Sequence, residues 1–206
     1  MTAIGDAKRA MRREARTRLA AMDAQQGAAA SDAIAEHLVG SDVAGSDVFA
    51  SAPAVVGFVA LAGEPDVSAV LTRALGAGKR VALPRIEPGE ADGSMTFRWI
   101  DGPGGLAGLA RGAFGLLEPG PATDRVESLG GGSLVLVPGL AFDGGGGRLG
   151  RGKGYYDRAL AEVTRSEGVV LAGVCFEAQV VPRVPREDHD RAVHMIVTEA
   201  GLRQAT

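Results

Sequence analysis

The feature that most constrains the fold is a buried strand that runs through a glycine-rich segment directly into a helix. Residues 133–137 form a mostly apolar run that predicts a strand, and Pro138-Gly139 ends it. The pattern from Tyr155 to Val163 predicts a helix. A strand that leads into a helix in this way is typical of open α/β sheets, whose ligands bind beyond the carboxyl ends of the strands.

The segment between strand and helix has the composition of a phosphate-binding loop. Arg148, Arg151 and Lys153 alternate with glycines at positions 150, 152 and 154. Glycine adopts backbone angles closed to other residues, so successive N–H groups can converge on phosphate oxygens beside a helix N-terminus. Asp157 lies in the first turn of the predicted helix, where it can hold a divalent cation against the same phosphates. Its alternative role is a carboxylate that interacts with the helix dipole.

The glycines that precede this loop predict a different structure. Residues 144–147 are four consecutive glycines after Asp143, and we interpret them as the tip of a hairpin. The pattern Gly147-x-x-x-x-Gly152-Lys153 matches the first part of a P-loop, but Gly154 stands where a magnesium-binding serine or threonine belongs. The ordinary Walker interpretation therefore fails.

Together these motifs resemble the signature of a known family. The string from Pro138 to Arg158 is similar to that of the 5-formyltetrahydrofolate cyclo-ligases, also called 5,10-methenyltetrahydrofolate synthetases. Further blocks follow in the family's order: Lys8-Arg-x-x-Arg12, Gly63-Glu64-x-Asp66, Leu83-Pro84-Arg85, Phe114-Gly-x-x-Glu118-Pro119 and Gln179–Asp190. The resemblance extends over nearly the whole chain.

The resemblance implies an ATP-dependent cyclisation of 5-formyltetrahydrofolate to 5,10-methenyltetrahydrofolate, with ATP as co-substrate and Mg²⁺ as cofactor. It implies that the formyl oxygen is phosphorylated and that N10 of the folate then attacks the iminium phosphate. It assigns Arg148 and Lys153 to catalysis and Asp157 and Asp190 to the metal. The implied ATP-binding residues are Lys8, Arg12, Arg148, Leu149, Gly150, Arg151, Gly152, Lys153, Gly154, Tyr155 and Tyr156. The implied folate-binding residues are Glu64 and Tyr155, and the folate can carry a polyglutamate tail. Phe58, Phe114 and Trp99 are candidates for the wall of the pterin pocket.

From the residues alone, several charged positions have a structural alternative. Lys8 and Arg12 share a helical face with Arg16, and by charge alone this face is a solvated basic surface. Glu64 can be a helix-start carboxylate together with the nearby Asp66. Asp190 lies in a charge-dense stretch typical of an exposed loop, and only the resemblance implies a metal-binding role.

The aromatic residues have alternatives of the same kind. Phe58, Trp99 and Phe114 lie in or beside apolar runs, which is typical of core residues. Tyr155 and Tyr156 point about 100° apart on a helix, so we expect one to pack and the other to face the site. The resemblance implies that Tyr155 is the one that contacts folate.

One position departs from the family pattern. His194 stands four residues after Asp190, where the family commonly has an aspartate, and we expect a change in local charge and pH response. His189, Asp190 and His194 do not predict a zinc site, because the chain has no second dense group of histidines or cysteines.

The remaining pattern alternates short apolar strands with helices. It predicts helices from Asp6, as the cap, to about Met22, from Ser31 to about Val39 and over 66–75, and strands over 54–60, 80–84, 95–100, 169–176 and 192–198. The fold class is therefore α/β. We expect a single domain, residues 1–206, with an open, mostly parallel sheet flanked by helices and the nucleotide loop at the carboxyl ends of strands.

Composition limits the partners of the protein. The net charge is −3 and no apolar run approaches the roughly 20 residues of a membrane span, so we expect neither nucleic acid nor membrane as a partner. Yet 10 of the 22 lysines and arginines fall in the windows 8–18 and 148–158, which suggests a compact anionic ligand. The single cysteine, Cys175, fits a reducing compartment, and we expect a cytoplasmic monomer. An Arg-rich transit peptide is the alternative for the first window, although acidic residues interrupt it.

Two other function classes stay open at this stage. The first is another nucleotide-dependent small-molecule phosphotransferase, which would share the phosphate loop but not the folate. The second is a non-catalytic nucleotide-binding regulator. Neither class needs Glu64, the block 114–119 and Asp190 in addition to the loop, so the cyclo-ligase interpretation is preferred.

Overall fold

The computed structural model describes residues 3–40, 46–87, 94–100, 104–112, 115–187 and 190–206. Its strands are β1 (Ala54–Val56), β2 (Arg80–Glu87), β3 (Ser94–Ile100), β4 (Ala110–Arg111), β5 (Leu117–Glu118), β6 (Leu134–Pro138), β7 (Ala141–Phe142), β8 (Arg148–Leu149), β9 (Val170–Val174), β10 (Met195–Thr198) and β11 (Gly201–Gln204). Its helices are α1 (Ala3–Ala20), α2 (Ala24–Val39), α3 (Ser46–Ser51), α4 (Ser68–Gly76), α5 (Gly104–Ala107) and α6 (Tyr155–Val163), and a 3₁₀ turn spans Glu177–Gln179.

A seven-stranded sheet organises the molecule, in the order β11-β10-β9-β6-β1-β2-β3. The central strands β10, β9, β6, β1 and β2 are parallel, and an antiparallel strand closes each edge. From β1 the chain crosses through α4 to β2, whereas from β6 it crosses through α6 to β9 on the other side. The carboxyl ends of β1 and β6 therefore diverge at a topological switch point, the usual place for a ligand in this class of sheet. The predicted fold class is confirmed.

Alternate residues of the central strands enter two different cores. Val55 packs with α2 and α4 on one face of the sheet, and its neighbour Val56 packs with α6 on the other. The strand β6 behaves in the same way, and all five of its residues are buried. Because both faces are covered, the central strands are continuous apolar runs rather than alternating ones. No helix in the described part of the chain is long and apolar enough to span a membrane.

Several predicted boundaries are wrong for identifiable reasons. Helix α1 already includes Ala3, so Asp6 lies inside its first turn and is not the cap. Helix α2 begins at Ala24 rather than at Ser31, because the carboxylate of Asp23 accepts the N–H of Gln26 as a side-chain cap. The strand predicted over 54–60 ends at Val56, after which the chain turns away to line a cleft.

The glycines at 144–147 do form the tip of a hairpin, between β7 and β8, as predicted. Gly146 has a φ of +76°, and a Cβ there would lie 2.3 Å from the carbonyl oxygen of Val193. Only glycine fits this position. The hairpin places Arg148, the first cation of the glycine-rich loop, on strand β8.

Asp143 holds this hairpin in place from within. One carboxylate oxygen accepts the N–H groups of Gly145 and Gly147 at 3.0 and 2.9 Å, and the other accepts the N–H of Val184 at 2.6 Å. Arg186 adds an ion pair at 3.1 Å. Burial raises the pKa of Asp143, but these hydrogen bonds and the Arg186 charge outweigh it and hold the pKa below its ordinary value. The hairpin and the segment after β9 are thus fixed to each other by one carboxylate.

We expect Asp143→Asn to lower the free energy of unfolding at pH 7 by about 2–3 kcal/mol, because an amide nitrogen then faces a backbone N–H. The ionised carboxylate stabilises the fold above its unfolded pKa of about 3.9, and this contribution is lost as pH falls through the lower folded pKa. Urea denaturation should therefore show a smaller difference between wild type and variant near about pH 3 than at pH 7. The exposed Asp32→Asn is the control, and a difference that does not depend on pH would contradict this account.

Candidate active site

A cleft of about 650 Å³ opens at the switch point. The segment after β1 forms one wall and the glycine-rich loop after β6 forms another, while α1 borders the loop. The carboxyl-terminal half of β2, with β5, forms a further wall. The described lining residues of the cleft include the basic and glycine residues of the loop and, from the other segments, the apolar residues Phe58, Val59, Leu61, Pro84, Ile86, Met95, Leu116 and Leu117. The cleft therefore combines a cationic, glycine-rich wall with apolar walls.

The glycine-rich loop has the backbone conformation that the sequence predicts for two of its three glycines. Gly152 and Gly154 have φ values of +104° and +67°, whereas Gly150 does not have a positive φ. Gly154 directly precedes α6, and no side chain caps that helix. The N-terminus of α6 therefore faces the loop with its N–H groups, which is favourable for an anion.

Arg148 is the most enclosed cation of the loop, with 4% of its side chain exposed. It donates to the carbonyl of Pro138 at 3.3 Å and to the carboxylate of Asp157 at 2.6 Å. Its guanidinium also lies 5.7 Å from the centre of the Tyr156 ring. Its Nε has no hydrogen-bond partner among the described residues. Arg148 is thus held rigidly at the cleft wall with one donor still to be used.

Helix α1 supplies two further cations. The Nζ of Lys8 lies 2.6 Å from Asp190 and 2.8 Å from Glu187, and Arg12 donates from Nε to the carbonyl of Gly150 at 2.9 Å. Burial lowers the pKa of Lys8, but its two carboxylate partners outweigh this and raise it above the ordinary value. Lys8 is buried and Arg12 half-buried, while Arg16 is exposed. The interpretation of this whole face as a solvated surface therefore applies to Arg16 alone.

Glu64 connects the two walls of the cleft. One carboxylate oxygen accepts from Nε and Nη2 of Arg151 at 2.9 and 2.8 Å, and the other accepts the N–H of Leu61 at 3.0 Å. Its side chain is 6% exposed. The carboxylate at the start of α4 is instead that of Asp66, which accepts the N–H of Ser68. Asp66 therefore has the helix-start role that the sequence allowed for Glu64.

Both tyrosines at the start of α6 are half-buried and line the cleft. Tyr156 packs edge-on against Phe97 with ring centres 6.2 Å apart, and Tyr155 lies 5.6 Å from the guanidinium of Arg158. Burial, with the negative charge of Glu64, raises the pKa of Tyr156, so its hydroxyl stays a neutral donor. Phe58 is buried at the cleft wall, whereas Phe114 lies outside the described residues.

The two aspartates assigned to magnesium both line the cleft. Asp157 is paired with Arg148, and Asp190 with Lys8 and with the N–H of Glu187 at 2.8 Å. No group of three or more histidine, cysteine, aspartate or glutamate side chains suited to a metal occurs within the described residues. Magnesium commonly takes one or two carboxylates beside phosphate oxygens, so these residues fit an ion that arrives with a nucleotide.

Two other residues that the sequence drew attention to, His194 and Trp99, make contacts outside the cleft. His194 accepts the N–H of Leu171 through Nδ1 at 2.8 Å and so joins the residue before β10 to β9. The guanidinium carbon of Arg80 lies over the Trp99 ring, 3.6 Å from the ring centre. His189 is outside the described residues.

Sequence reasoning gave no role to two buried polar residues near the cleft. Gln179 donates to the carbonyl of Gly139 at 2.7 Å and accepts the N–H of Phe176 at 2.8 Å, so it fixes the turn after β6. Glu118 is buried in the cleft wall. Burial raises the pKa of its carboxyl above the ordinary value, although a backbone hydrogen bond from Ile86 and the charge of Arg85 both lower it. Both residues lie in sequence blocks that resemble the family, 114–119 and 179–190. That resemblance was the one indication of a role for them.

Comparison with known proteins gives a consistent assignment. A model described as the 5-formyltetrahydrofolate cyclo-ligase family matches residues 4–199. The 5-formyltetrahydrofolate cyclo-ligase of Mycolicibacterium smegmatis is 34% identical over 149 residues, which span 72% of this chain and 75% of the relative. That of Mus musculus is 26% identical over 200 residues, 95% of each chain.

The fold agrees with a solved relative as well. The NMR structure of 5,10-methenyltetrahydrofolate synthetase from Aquifex aeolicus matches with a TM-score of 0.74 and 29% identity. The match covers 96% of this chain and 92% of that one. The extent of the family match and the identity to the mycobacterial relative together show that this chain belongs to the 5-formyltetrahydrofolate cyclo-ligase family.

Proposed function

We propose that this protein catalyses the ATP-dependent cyclisation of 5-formyltetrahydrofolate to 5,10-methenyltetrahydrofolate, with release of ADP and phosphate. The observation that carries this proposal is one cleft that combines a cationic, glycine-rich wall with apolar walls. The cationic wall would hold a triphosphate, and the apolar walls would hold a flat pterin ring. Family membership supports the same reaction.

The reaction needs positioning and charge stabilisation more than a protein nucleophile. The formyl oxygen forms a bond to the γ-phosphorus of ATP while the bond to ADP breaks. N10 of the folate then forms a bond to the formyl carbon and loses its proton. The carbon–oxygen bond breaks last, and phosphate leaves with the former formyl oxygen.

Side chains of the loop would stabilise the charge that moves during phosphoryl transfer. Among the described residues, the Nε of Arg148 has no hydrogen-bond partner. The side chain of Lys153 is exposed, so it would be able to turn toward a phosphate. Arg12 holds the loop through the carbonyl of Gly150, and its other guanidinium N–H groups, which make no hydrogen bond to the described residues, would bind phosphate oxygens. Such fixed donors act strongly where water is excluded.

A magnesium ion bound with the nucleotide would neutralise charge on its phosphate oxygens, and Asp157 and Asp190 are the residues that would hold it. Phe58 and Tyr155 would border the pterin, and Glu64, whose carboxylate also holds Arg151, would contact the folate. A folate contact by Phe114, a polyglutamate tail, a monomeric state, a cytoplasmic location and one functional domain over residues 1–206 stay predictions.

Purified protein mixed with 5-formyltetrahydrofolate, ATP and Mg²⁺ should develop the near-ultraviolet absorbance of a methenyl bridge, with one ADP formed per bridge. Omission of ATP is the control and should abolish the signal. ATP hydrolysis without the chromophore would contradict the proposal and would favour the phosphotransferase class.

Lys153→Met should lower kcat/KM for ATP by about 10²–10³-fold, because the charge that faces the phosphoryl group is removed. Since Lys153 is exposed, the free energy of unfolding should change by less than about 0.5 kcal/mol. The matched control is Arg165→Met, an exposed cation that does not line the cleft. Equal kinetic losses in the two variants would rule out a specific role for Lys153.

A further inference from the structure

One ion pair joins two walls of the cleft, and its two partners differ in how deeply they are enclosed. Arg151, on the glycine-rich loop, donates from Nε and Nη2 to the same carboxylate oxygen of Glu64, at 2.9 and 2.8 Å. The side chain of Glu64 is 6% exposed, whereas that of Arg151 is 39% exposed. A carboxylate this enclosed needs a partner for its charge, but an exposed guanidinium is also solvated by water.

Glu64 is held in position by its own turn. Its N–H donates to the carbonyl of Leu61 at 2.9 Å, and its second carboxylate oxygen accepts the N–H of Leu61 at 3.0 Å. These two hydrogen bonds fix both the backbone and the carboxylate, and neither of them involves Arg151. The carboxylate of Glu64 would therefore stay at the cleft wall if Arg151 turned away.

Arg151 combines an anchored backbone with an exposed side chain. Arg12 donates from Nε to the carbonyl of Gly150 at 2.9 Å, which holds the loop directly before Arg151. Within the described part of the chain, Glu64 is the hydrogen-bond partner of the Arg151 guanidinium. A triphosphate bound to this loop would compete with Glu64 for that guanidinium, because both present anionic oxygens to it.

Glu64 differs from the other carboxylates that pair with cations in the cleft. Asp157 and Asp190 are assigned to the metal that would arrive with the nucleotide, so each would exchange its cation for another positive charge. Glu64 is not assigned to the metal. If Arg151 left, the charge of Glu64 would be enclosed without a partner, which is strongly unfavourable. The second substrate is the group that would supply new donors to it.

We propose that Arg151 couples the binding of nucleotide to the binding of folate, by moving from Glu64 to a phosphate group of ATP. This inference rests on the proposed function, which places ATP on the loop and folate against Glu64. In the free protein Arg151 satisfies Glu64, so folate has to compete for the carboxylate. Once ATP has taken Arg151, the carboxylate accepts N–H donors of the folate. By linkage, folate at Glu64 raises the affinity for ATP by the same factor.

Calorimetry with the β,γ-imido analogue of ATP and Mg²⁺ measures the coupling without phosphoryl transfer. We expect the wild type to bind 5-formyltetrahydrofolate about 10-fold more tightly when the analogue is saturating than when it is absent. In Arg151→Met this ratio should fall below about 2-fold, because no guanidinium is exchanged. The matched control is Lys153→Met, which removes another exposed cation of the loop. It should weaken analogue binding but keep the wild-type ratio.

A second measurement needs no folate. Glu64→Gln should bind the ATP analogue about 5-fold more tightly than wild type, because Arg151 no longer has a carboxylate to leave. Loss of a negative charge from the cleft also favours an anion, whether or not Arg151 moves. Glu64→Gln made in the Arg151→Met background measures that contribution alone, and there the gain should be less than about 2-fold.

Three results would overturn the coupling. Equal folate affinity with and without the analogue in wild type would show that the two ligands bind independently. An unchanged ratio in Arg151→Met would show that the coupling passes through another contact. An equal gain from Glu64→Gln in both backgrounds would show that Arg151 does not turn to a phosphate.

The same measurements separate this inference from the proposed function. Wild type that binds the analogue but no folate would overturn the proposed function, and the comparison of Glu64→Gln in the two backgrounds would still decide whether Arg151 exchanges partners. If Glu64→Gln fails to fold, the folate ratio in Arg151→Met decides, since that variant changes an exposed side chain.

Discussion

The ion pair between Arg148 and Asp157 is the contact on which the site depends. It joins β8 to the first turn of α6 and so closes the glycine-rich loop that runs between them. A buried guanidinium without a partner would be strongly unfavourable, and the pair removes that cost while keeping both groups at the cleft wall. Asp143 and Gln179 then fix the two ends of the hairpin and turn from which the loop departs.

The same principle extends across the cleft. Lys8 is paired with Asp190, and Arg151 with Glu64. With Arg148, three of the five cations assigned to ATP therefore face a carboxylate. Two of these carboxylates are the ones assigned to magnesium. We infer that a nucleotide bound with its metal would exchange two of these pairs. Arg148 and Lys8 would turn to phosphate oxygens, and Asp157 and Asp190 would hold the metal. Each of these four charged groups would then keep a partner of opposite charge.

The sequence predicted what depends on local pattern. Helix α6 has the predicted bounds, and the hairpin tip at 144–147 follows from glycine chemistry. The start of α2 was missed because Asp23 caps a helix whose first turns lack an apolar pattern. The state of Glu64 was not predictable, since its partner Arg151 is distant in sequence. That of Glu118 was not predictable either, since it depends on how the fold brings the nearby Gly112 and the distant Arg85 against its carboxylate. Boundaries and partners are set by tertiary contacts that a linear pattern does not contain.

The central claim is that the cleft brings the γ-phosphate of ATP onto the formyl oxygen of the folate. It is tested most directly with 5-formyltetrahydrofolate that carries ¹⁸O in the formyl group, followed by mass analysis of the phosphate released in a single turnover. Our account predicts one ¹⁸O atom in each phosphate. Unlabelled phosphate, with the label found in water, would show that the formyl oxygen is never phosphorylated and would contradict the account.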